Sequence, residues 1–470
     1  MDWTNAEVSH SVPTEQRLAK ARESLVCRLP DAGLGEAWTR EHLLGEIAPG
    51  FTSSSRCASY FAYTTGAVTD AALFADWVAS TYDQNVAVHL PSESVATKLE
   101  SVTSRLLQQL LGFNEDVFVG RIFTTGATAS NLLGLALGRE FVVAEAGRRK
   151  TVNATCAAAG VEEIQILTTT PHSSLYKAAA VLGLGRDSVV ALPRSENEPW
   201  KFDLEALEAK LADGASIVSV SAGEVSSGKF ATDGQDMQRI RDLADKYGAW
   251  VHVDGAFGLQ ARVLPHTESY RHLTDGVSNL ELADSLAGDC HKLLQTPYDC
   301  GFFFTRHLDV QQCAFRNPNA VYLSATPSQI PSPLNIGLEN SRRFRALPVY
   351  ATLLAYGRPW YRELLERQIT LARRIARYIV DSDAFELVPN DNIAEVYMVV
   401  LLRAKDAKLN ESLVARINTD TRMHISGLPG GWGGKPAARI AVGSWRVEAE
   451  REFTLVVDIL ETLVRESMTT

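Results

Sequence analysis

The chain has 470 residues, of which 46% are hydrophobic and 22% are charged, with a formal net charge of −10 and a pI near 5.6. That length predicts two or three structural domains, and the acidic balance argues against nucleic acid or an anionic membrane as the main partner. The N-terminus lacks the basic start and apolar run of a signal peptide, and no stretch reaches the roughly 18 apolar residues of a membrane span. A cytoplasmic location is therefore expected.

The cysteines are scattered through the chain and form no CxxC pair. Such spacing indicates neither a disulfide framework nor a zinc site, so reduced thiols and no bound metal are predicted. The six positions are Cys27, Cys57, Cys156, Cys290, Cys300 and Cys313.

The first part of the chain, residues 1–112, is predicted to be a helical arm. Residues 14–28 have apolar side chains at helical spacing, and a connection punctuated by Gly and Pro follows to about residue 56. Residues 68–82 and 94–111 show two further amphipathic helical patterns. These helices are too few to enclose a core, so the arm is expected to pack on another surface, such as a second subunit.

The second part, residues 113–343, alternates short apolar runs with helical stretches. This alternation predicts an α/β domain with a mostly parallel central sheet covered by helices on both faces. The predicted strands are residues 121–124, 164–167, 188–192, 216–220, 249–253, 282–287 and 301–305.

The last part, residues 344–470, is predicted to be a smaller α+β C-terminal domain. A long helical stretch runs to about residue 380, and two strand-like runs follow at 396–401 and 438–442. A final helix is predicted over residues 447–465.

Lys292 is the strongest candidate for chemistry. It is predicted to lie on a turn between two strands, in the segment 289–301, where active-site residues often collect. A desolvated lysine there has reason to be neutral, and a neutral amine forms a Schiff base with a carbonyl cofactor. The neighbouring His291 is a candidate anion ligand, although a His-Lys pair taken alone is usually just solvated.

A turn of small residues, 124–131, follows the first predicted strand and opens a helix over 132–140. The free backbone N–H groups and the dipole at such a helix N-terminus suit a phosphate, and the hydroxyls of Thr125 and Thr128 add donors. A plain helix cap is the alternative interpretation. The turn matches neither GxGxxG nor a Walker A motif, which disfavours a dinucleotide or ATP.

Two more residues follow predicted strands. Asp254 ends an apolar strand, where a carboxylate needs a partner such as a protonated pyridine nitrogen. A turn-starting carboxylate or a magnesium ligand is the alternative. His172 precedes a helix and would stack on a flat cofactor, or else it is simply solvated.

Seven segments in order resemble the group II amino-acid decarboxylase family, which belongs to the pyridoxal-phosphate (PLP) enzymes of fold type I and includes the aromatic-L-amino-acid and glutamate decarboxylases. They extend over most of the chain. The matching segments are residues 60–63, 124–131, 171–174, 222–228, 252–256, 289–293 with 297–301, and 341–345.

The resemblance implies that PLP is held by Lys292 as an aldimine, with Asp254 keeping the pyridine nitrogen protonated. It implies that Ala256 packs on one face of the ring and His172 stacks on the other. The residues that it places around the cofactor phosphate are Gly126, Ala127, Thr128 and His291.

The resemblance also implies a homodimer with active sites at the subunit interface and an amino acid as the substrate. Tyr63 falls where the family lines its substrate cavity. Arg439 falls where glutamate decarboxylases bind the substrate carboxylate, and a structural arginine is the alternative.

The implied reaction is α-decarboxylation of an L-amino acid to the amine and CO2 through a quinonoid carbanion. One departure concerns the proton donor, because residues 323–340 correspond to a family loop with a catalytic tyrosine but contain no Tyr, His or Phe. Tyr322, which directly precedes this segment, is one candidate to replace the missing proton donor. Without a donor, the same fold would support aldehyde synthesis by oxidative deamination, aldolase-type C–C cleavage or formation, or transamination. The third alternative, a non-catalytic scaffold protein, is disfavoured because such a protein does not need Lys292 and Asp254 at one site.

Overall fold

The structure, a computed structural model, describes residues 5–149, 156–317 and 330–468. These residues form two compact units. The larger comprises Val68–Ile369 and Asn392–Val399, and the smaller comprises the chain up to Ala67, Thr370–Asp391 and the residues from Val400 onward. Residues 68–112 thus group with the larger unit, and the three-part division at residues 112 and 343 stays a prediction.

The helices alternate with the strands through the larger unit and dominate both ends of the chain. In chain order they are α1 (Glu15–Glu23), α2 (Glu36–His42), α3 (Asp70–Tyr82), α4 (Ala96–Leu110), α5 (Ala127–Arg149), α6 (Cys156–Ala159), α7 (Ser173–Val181), α8 (Leu204–Asp213), α9 (Gly234–Tyr247), α10 (Arg271–Asp275), α11 (Cys290–Leu293), α12 (Leu308–Phe315), α13 (Ala346–Val380), α14 (Ala407–Ile417) and α15 (Ala449–Met468).

Side-chain caps fix where several of these helices begin. The carboxylate of Asp203 accepts hydrogen bonds from the first N–H groups of α8, and Asp233 does the same for α9. Such caps satisfy backbone donors that have no intrahelical partner. Helix α9 then ends at Gly248, whose left-handed backbone suits glycine.

The larger unit is built on a seven-stranded sheet, which confirms the predicted α/β architecture. The strand order is β1-β7-β6-β5-β4-β2-β3. All neighbours are parallel except β7, which is antiparallel to both β1 and β6. The strands are β1 (Gly120–Thr124), β2 (Gln165–Thr168), β3 (Val189–Ala191), β4 (Ser216–Ser221), β5 (Trp250–Asp254), β6 (Ser285–Asp289) and β7 (Gly301–Thr305).

Helix α5 packs directly on the sheet, against buried side chains such as Ile217 and Trp250. Two glycines allow the close approach. A Cβ atom at Gly134 would lie 2.4 Å from the ring of His252, and one at Gly138 would lie 2.8 Å from Ile217. The helix that follows the small-residue turn is therefore held in a narrowly defined position above β4 and β5.

Two predicted strands are displaced in the structure. The strand predicted at 282–287 is Ser285–Asp289 in the structure, and a 3₁₀ turn occupies Leu280–Leu282 before it. Lys292, predicted to lie on a turn, lies on the short helix α11. The strand predicted at 396–401 is Val399–Ala404. In both places the apolar run is buried before strand pairing begins, and burial alone does not show where a strand starts.

The smaller unit contains α1, α2, α14, α15 and a four-stranded sheet with the order β10-β11-β9-β8. Its strands are β8 (Phe385–Val388), β9 (Val399–Ala404), β10 (Ser426–Gly427) and β11 (Ala438–Ala441). The predicted strand at 438–442 and the final helix are confirmed as β11 and α15, whereas α2 lies in a stretch predicted to be a connection. Among the residues that the structure describes, no helix combines the length and apolarity needed to cross a bilayer.

Candidate active site

A cavity of about 270 Å³ lies where several strands of the larger unit end. Because β7 runs antiparallel to both neighbours, β1 points in the same direction as β4, β5 and β6, and their carboxyl ends meet at one edge of the sheet. This is where open α/β sheets bind ligands. The cavity is close to the lower end of the usual size range for small-molecule sites.

Eight of the predicted site residues line this cavity together. They are Gly126, Ala127, Thr128, His172, Asp254, Ala256, His291 and Lys292. Four of the strand-to-helix turns supply them, although they are spread over more than 160 positions of the chain. The predicted constellation is therefore assembled at one place.

Tyr63 and Arg439 belong to the smaller unit. The side chain of Tyr63 is exposed. Arg439 is buried and donates hydrogen bonds to the Ala62 carbonyl oxygen at 2.9 Å and to Ser426 Oγ at 3.1 Å. These contacts give Arg439 a structural role within its own unit, and the substrate-binding roles of both residues stay predictions.

Lys292 is ion-paired. Its Nζ lies 2.8 Å from Asp289 Oδ2, and its side chain is 17% exposed. The sequence predicts a desolvated lysine at this position but not its partner. Asp289 itself is 3% exposed, so the pair lies largely out of water.

Asp289 also contacts the small-residue turn. Its Oδ1 accepts a hydrogen bond from the N–H of Ala127 at 2.6 Å. Ala127 is the first residue of α5, so the carboxylate lies at the positive end of that helix. One buried carboxylate thus connects the lysine to the predicted phosphate turn.

His291 lies beside this pair with a defined ring orientation. Its Nδ1 accepts the N–H of Cys300 at 3.2 Å, and its Nε2 lies 3.5 Å from Asp289 Oδ1. Burial lowers the pKa of His291, although the Asp289 carboxylate opposes this shift. We therefore assign a neutral ring whose proton is on Nε2, facing the carboxylate.

Glycines allow close packing around the small-residue turn. A Cβ at Gly126 would lie 3.2 Å from the His291 ring, and one at Gly301 would lie 2.6 Å from the Gly126 Cα. The N–H of Gly126 is bonded to Thr124 Oγ1 at 3.3 Å. The N–H of Ala127 donates to Asp289. The first-turn N–H groups of α5 that follow it, beginning at Thr128, have no carbonyl four residues earlier within the helix and so suit an anion.

Asp254 is held by two donors. Its Oδ2 accepts from Asn131 Nδ2 at 2.8 Å, and its Oδ1 accepts from the N–H of Ala256 at 3.2 Å. Asn131 is fully buried on α5. Asn131 ends the predicted small-residue turn, but the sequence predicts no role for it, because its partner is 123 positions away.

The contacts of Asn131 continue inward, and the direction of every hydrogen bond is determined. A carboxylate only accepts, so Asn131 presents its Nδ2 to Asp254 and its Oδ1 to His252 Nε2, at 3.0 Å. His252 Nδ1 then accepts from Ser285 Oγ at 2.8 Å, and Ser285 accepts from Trp250 Nε1 at 3.0 Å. This chain requires a neutral His252.

The environment of His252 agrees with that assignment. Complete burial lowers its pKa from 6.5 to about 4, against the opposing effect of the Asp254 carboxylate. The hydrogen-bond network around Asn131 also includes His172. Ser174 connects the two, because its Oγ lies 3.3 Å from Asn131 Nδ2 and 2.8 Å from His172 Nδ1. Because His172 Nδ1 also accepts the Ser174 N–H at 3.3 Å, its proton is assigned to Nε2.

The depressed pKa of His252 predicts a loss of stability in acid. Between pH 6.5 and pH 4 the unfolded chain binds a proton that the folded chain does not, so the free energy of unfolding falls as the pH falls. We expect His252 to lower the free energy of unfolding, relative to pH 7, by about 2 kcal/mol at pH 5 and by about 3 kcal/mol below pH 4. Urea unfolding midpoints of wild type and His252→Gln at pH 7 and pH 5 measure it. Equal pH dependence in the two proteins would contradict the assignment.

Glu224 also lines the cavity and is not among the predicted site residues. It is nearly buried, and its carboxylate accepts the N–H groups of Ser226 at 2.7 Å and Ser227 at 2.9 Å. The carboxylate therefore shapes its own turn while adding a negative charge to the cavity wall.

The proposed replacement proton donor, Tyr322, lies outside the described residues, as do residues 323–329. The described remainder of that segment, residues 330–340, contains no Tyr, His or Phe.

Comparison with known proteins gives a consistent result. A family model described as the pyridoxal-dependent decarboxylase conserved domain matches residues 41–400. The L-2,4-diaminobutyrate decarboxylase of Acinetobacter baumannii is 29% identical over 308 residues, which are 62% of this chain and 58% of that protein. The chain thus spans less than two thirds of that relative's length. The phenylacetaldehyde synthase of Petunia hybrida is 26% identical over 243 residues, or 51% of this chain and 47% of the relative.

The fold is also shared with solved structures. A crystal structure of Oryza sativa TDC with PLP and tryptamine superimposes with a TM-score of 0.82 at 21% sequence identity, covering 98% of this chain and 94% of the other. The fold that the resemblance implied is therefore confirmed.

Proposed function

Because the chain belongs to the pyridoxal-dependent decarboxylase family, we propose that it removes the α-carboxylate of an L-amino acid, using PLP bound at Lys292. The observation that carries the proposal is the single cavity that Lys292, Asp254 and His172 share. Each is a residue type that the chemistry needs: an amine to bind the cofactor aldehyde, a carboxylate for its ring nitrogen, and a flat donor for the ring face.

The cavity residues fit the cofactor. Bound there, PLP supplies an aldehyde that condenses with amines and a pyridine ring that accepts the electrons left at Cα. Ala256 is small and buried, which leaves room for a flat ring. At the phosphate end, the donors are the backbone of the α5 N-terminus and the hydroxyls of Thr125 and Thr128, both of which line the cavity.

Asp254 has the role of holding a proton on the pyridine nitrogen. Its two hydrogen bonds, from Asn131 and Ala256, hold the carboxylate in one orientation without neutralising its charge. The neutral His252 behind Asn131 fixes the amide orientation, because its Nε2–H needs the amide oxygen as acceptor. The electrostatics at the ring nitrogen are therefore set before the cofactor binds.

His172 has the role of a stacking partner and hydrogen-bond donor. With Nδ1 occupied by Ser174, its Nε2–H is the group left for hydrogen bonding. A donor of that kind suits the carboxylate of the amino acid, and it orients that group for departure.

Product analysis tests the proposed reaction. Purified protein with PLP is incubated with acidic, basic and aromatic L-amino acids, and CO2, amine, aldehyde and hydrogen peroxide are measured separately. We expect equimolar CO2 and amine from one class of substrate. If no class releases CO2 while the PLP spectrum responds to amino acids, decarboxylation is refuted and transamination or C–C chemistry is left.

Aldehyde formation is the second candidate. Two observations favour it: residues 323–340 have no Tyr, His or Phe, and one relative is a phenylacetaldehyde synthase. In that reaction the amino acid, O2 and water give aldehyde, CO2, ammonia and hydrogen peroxide. Consumption of O2 with the release of peroxide in the same assay would identify it.

We further propose a homodimer. Helix α3 exposes Phe74, Trp77 and Tyr82, and large apolar side chains exposed along one helix commonly mark an interface. The family resemblance supports a second copy of the chain as the occupant, with Tyr63 near its partner's cofactor. A fully active monomer in sedimentation at assay concentration would refute the dimer.

We also propose a cytoplasmic location. All six cysteines are free thiols, and Cys290 and Cys300 on the segment that carries Lys292 are buried. Free thiols suit a reducing compartment. Recovery of the native protein from a compartment other than the cytoplasm would refute this.

A further inference from the structure

We propose that Asp289 limits the affinity of the site for the cofactor's phosphate group, because its carboxylate occupies the groups that the phosphate needs. The inference rests on the proposed cofactor site but not on the reaction catalysed there. Asp289 is the last residue of β6 and is 3% exposed, so it cannot turn away into solvent without rearrangement of its surroundings.

The first contact concerns the backbone of the small-residue turn. Of the N–H groups in that turn, Gly126 donates to Thr124 Oγ1 at 3.3 Å and Ala127 donates to Asp289 Oδ1 at 2.6 Å. A phosphate at this helix N-terminus must therefore share the Ala127 N–H with the carboxylate or displace it. The first-turn backbone donors that the carboxylate leaves to a phosphate begin at Thr128.

The second contact concerns Lys292, which the carboxylate pairs at 2.8 Å. Condensation with an aldehyde requires the amine to leave this ion pair. Asp289 therefore opposes the binding of the cofactor at both ends, through the lysine and through the phosphate turn.

The charge of the cavity also opposes the binding of a phosphate. Three carboxylates line the cavity, those of Asp254, Glu224 and Asp289. Its lining residues include one lysine, Lys292. Burial lowers the pKa of His291, so this neighbour does not supply a compensating positive charge at neutral pH. A phosphate dianion placed beside Asp289 meets a like charge in a poorly solvated position.

Asp289→Asn removes the negative charge of the side chain and keeps its shape. The amide oxygen still accepts the Ala127 N–H, so the cap on α5 is kept, while the negative charge and the ion pair are lost. We expect the Kd for PLP to fall about tenfold or more. Because loss of the ion pair also affects pyridoxal, which lacks the phosphate, the informative quantity is the ratio of the pyridoxal Kd to the PLP Kd. That ratio should rise at least about fivefold, and inorganic phosphate should become a stronger competitor of PLP.

Asp299→Asn is the matched control. Asp299 lies on the same chain segment and is held by Arg345 Nε at 2.7 Å, so its replacement removes one negative charge without altering the contacts of Ala127 or Lys292. We expect the ratio to be unchanged in this variant. Thermal unfolding of each protein shows whether it is folded, and Asp289→Ser, which also lacks the charge, repeats the test if the Asn variant does not fold.

Absorbance titration with PLP and pyridoxal decides the outcome. An unchanged or lower ratio in the folded Asp289 variants would overturn the inference, and so would an equal rise in Asp299→Asn. Wild-type protein that binds no PLP would overturn this inference together with the cofactor site. Tight PLP binding without release of CO2 would refute the proposed reaction and leave the inference standing.

Discussion

Lys292→Ala is expected to abolish turnover, with a loss on the order of ten-thousandfold or more, because in the proposed function the amine is both the tether of the cofactor and a carrier of protons. The wild-type protein is expected to be yellow with PLP. Borohydride should bleach that colour and fix a pyridoxyl group on Lys292, which peptide mass spectrometry locates. The Ala variant should show neither the colour nor the modification.

Lys292→Arg is the informative companion variant. A guanidinium retains the positive charge next to Asp289, which is 2.8 Å from the lysine Nζ, but it does not condense with an aldehyde. The Arg variant should therefore be as inactive as the Ala variant. Substantial turnover by either one, or a pyridoxyl group found on another lysine, would remove Lys292 from its proposed role.

Asp254→Asn is expected to bind PLP and to lose about a thousandfold in rate, which is about 4 kcal/mol of transition-state stabilisation. The pyridine ring accepts electrons from Cα far better when its nitrogen is protonated, and a carboxylate keeps that proton in place. The replacement also places an amide NH2 where Asp254 now accepts from Asn131 at 2.8 Å or from Ala256 at 3.2 Å. One of these two hydrogen bonds must be lost.

Asp254→Glu keeps the charge and should retain part of the activity. Single-turnover rates with saturating PLP separate this chemical effect from cofactor binding. An Asn variant that turns over near the wild-type rate with PLP bound would mean that Asp254 does not face the ring nitrogen, or that the reaction needs no strong electron sink.

The parts of the site that the sequence predicts are those encoded locally. Asp254 follows an apolar run, and the turn before α5 is made of small residues, so each can be recognised within about ten positions. Parallel strands then bring such turns to one edge of the sheet without any further information. Lys292 can be singled out in the same way, although the sequence pattern does not predict the short helix α11 that carries it.

The parts that the sequence does not predict depend on distant pairs. Asn131 meets His252 across 121 positions, and Ala127 meets Asp289 across 162. Nothing in the neighbourhood of Asn131 distinguishes it from an ordinary helix residue, because its role comes only from the helix lying close to the sheet. The roles of Tyr63 and Arg439 rest on resemblance alone and still await experiment.

The glycines on α5 also determine how substitutions on this helix would affect the site. Asn131, Gly134 and Gly138 are three and four residues apart, so they form one stripe on the face of the helix toward the sheet. A methyl group at Gly134 would lie 2.4 Å from the His252 ring, so the helix would have to lift, and the 2.8 Å hydrogen bond from Asn131 to Asp254 would stretch with it. Because Gly134 has no side chain, it sets the distance between α5 and the sheet. In a saturation library it should therefore score like a catalytic residue, even though it contributes no functional group.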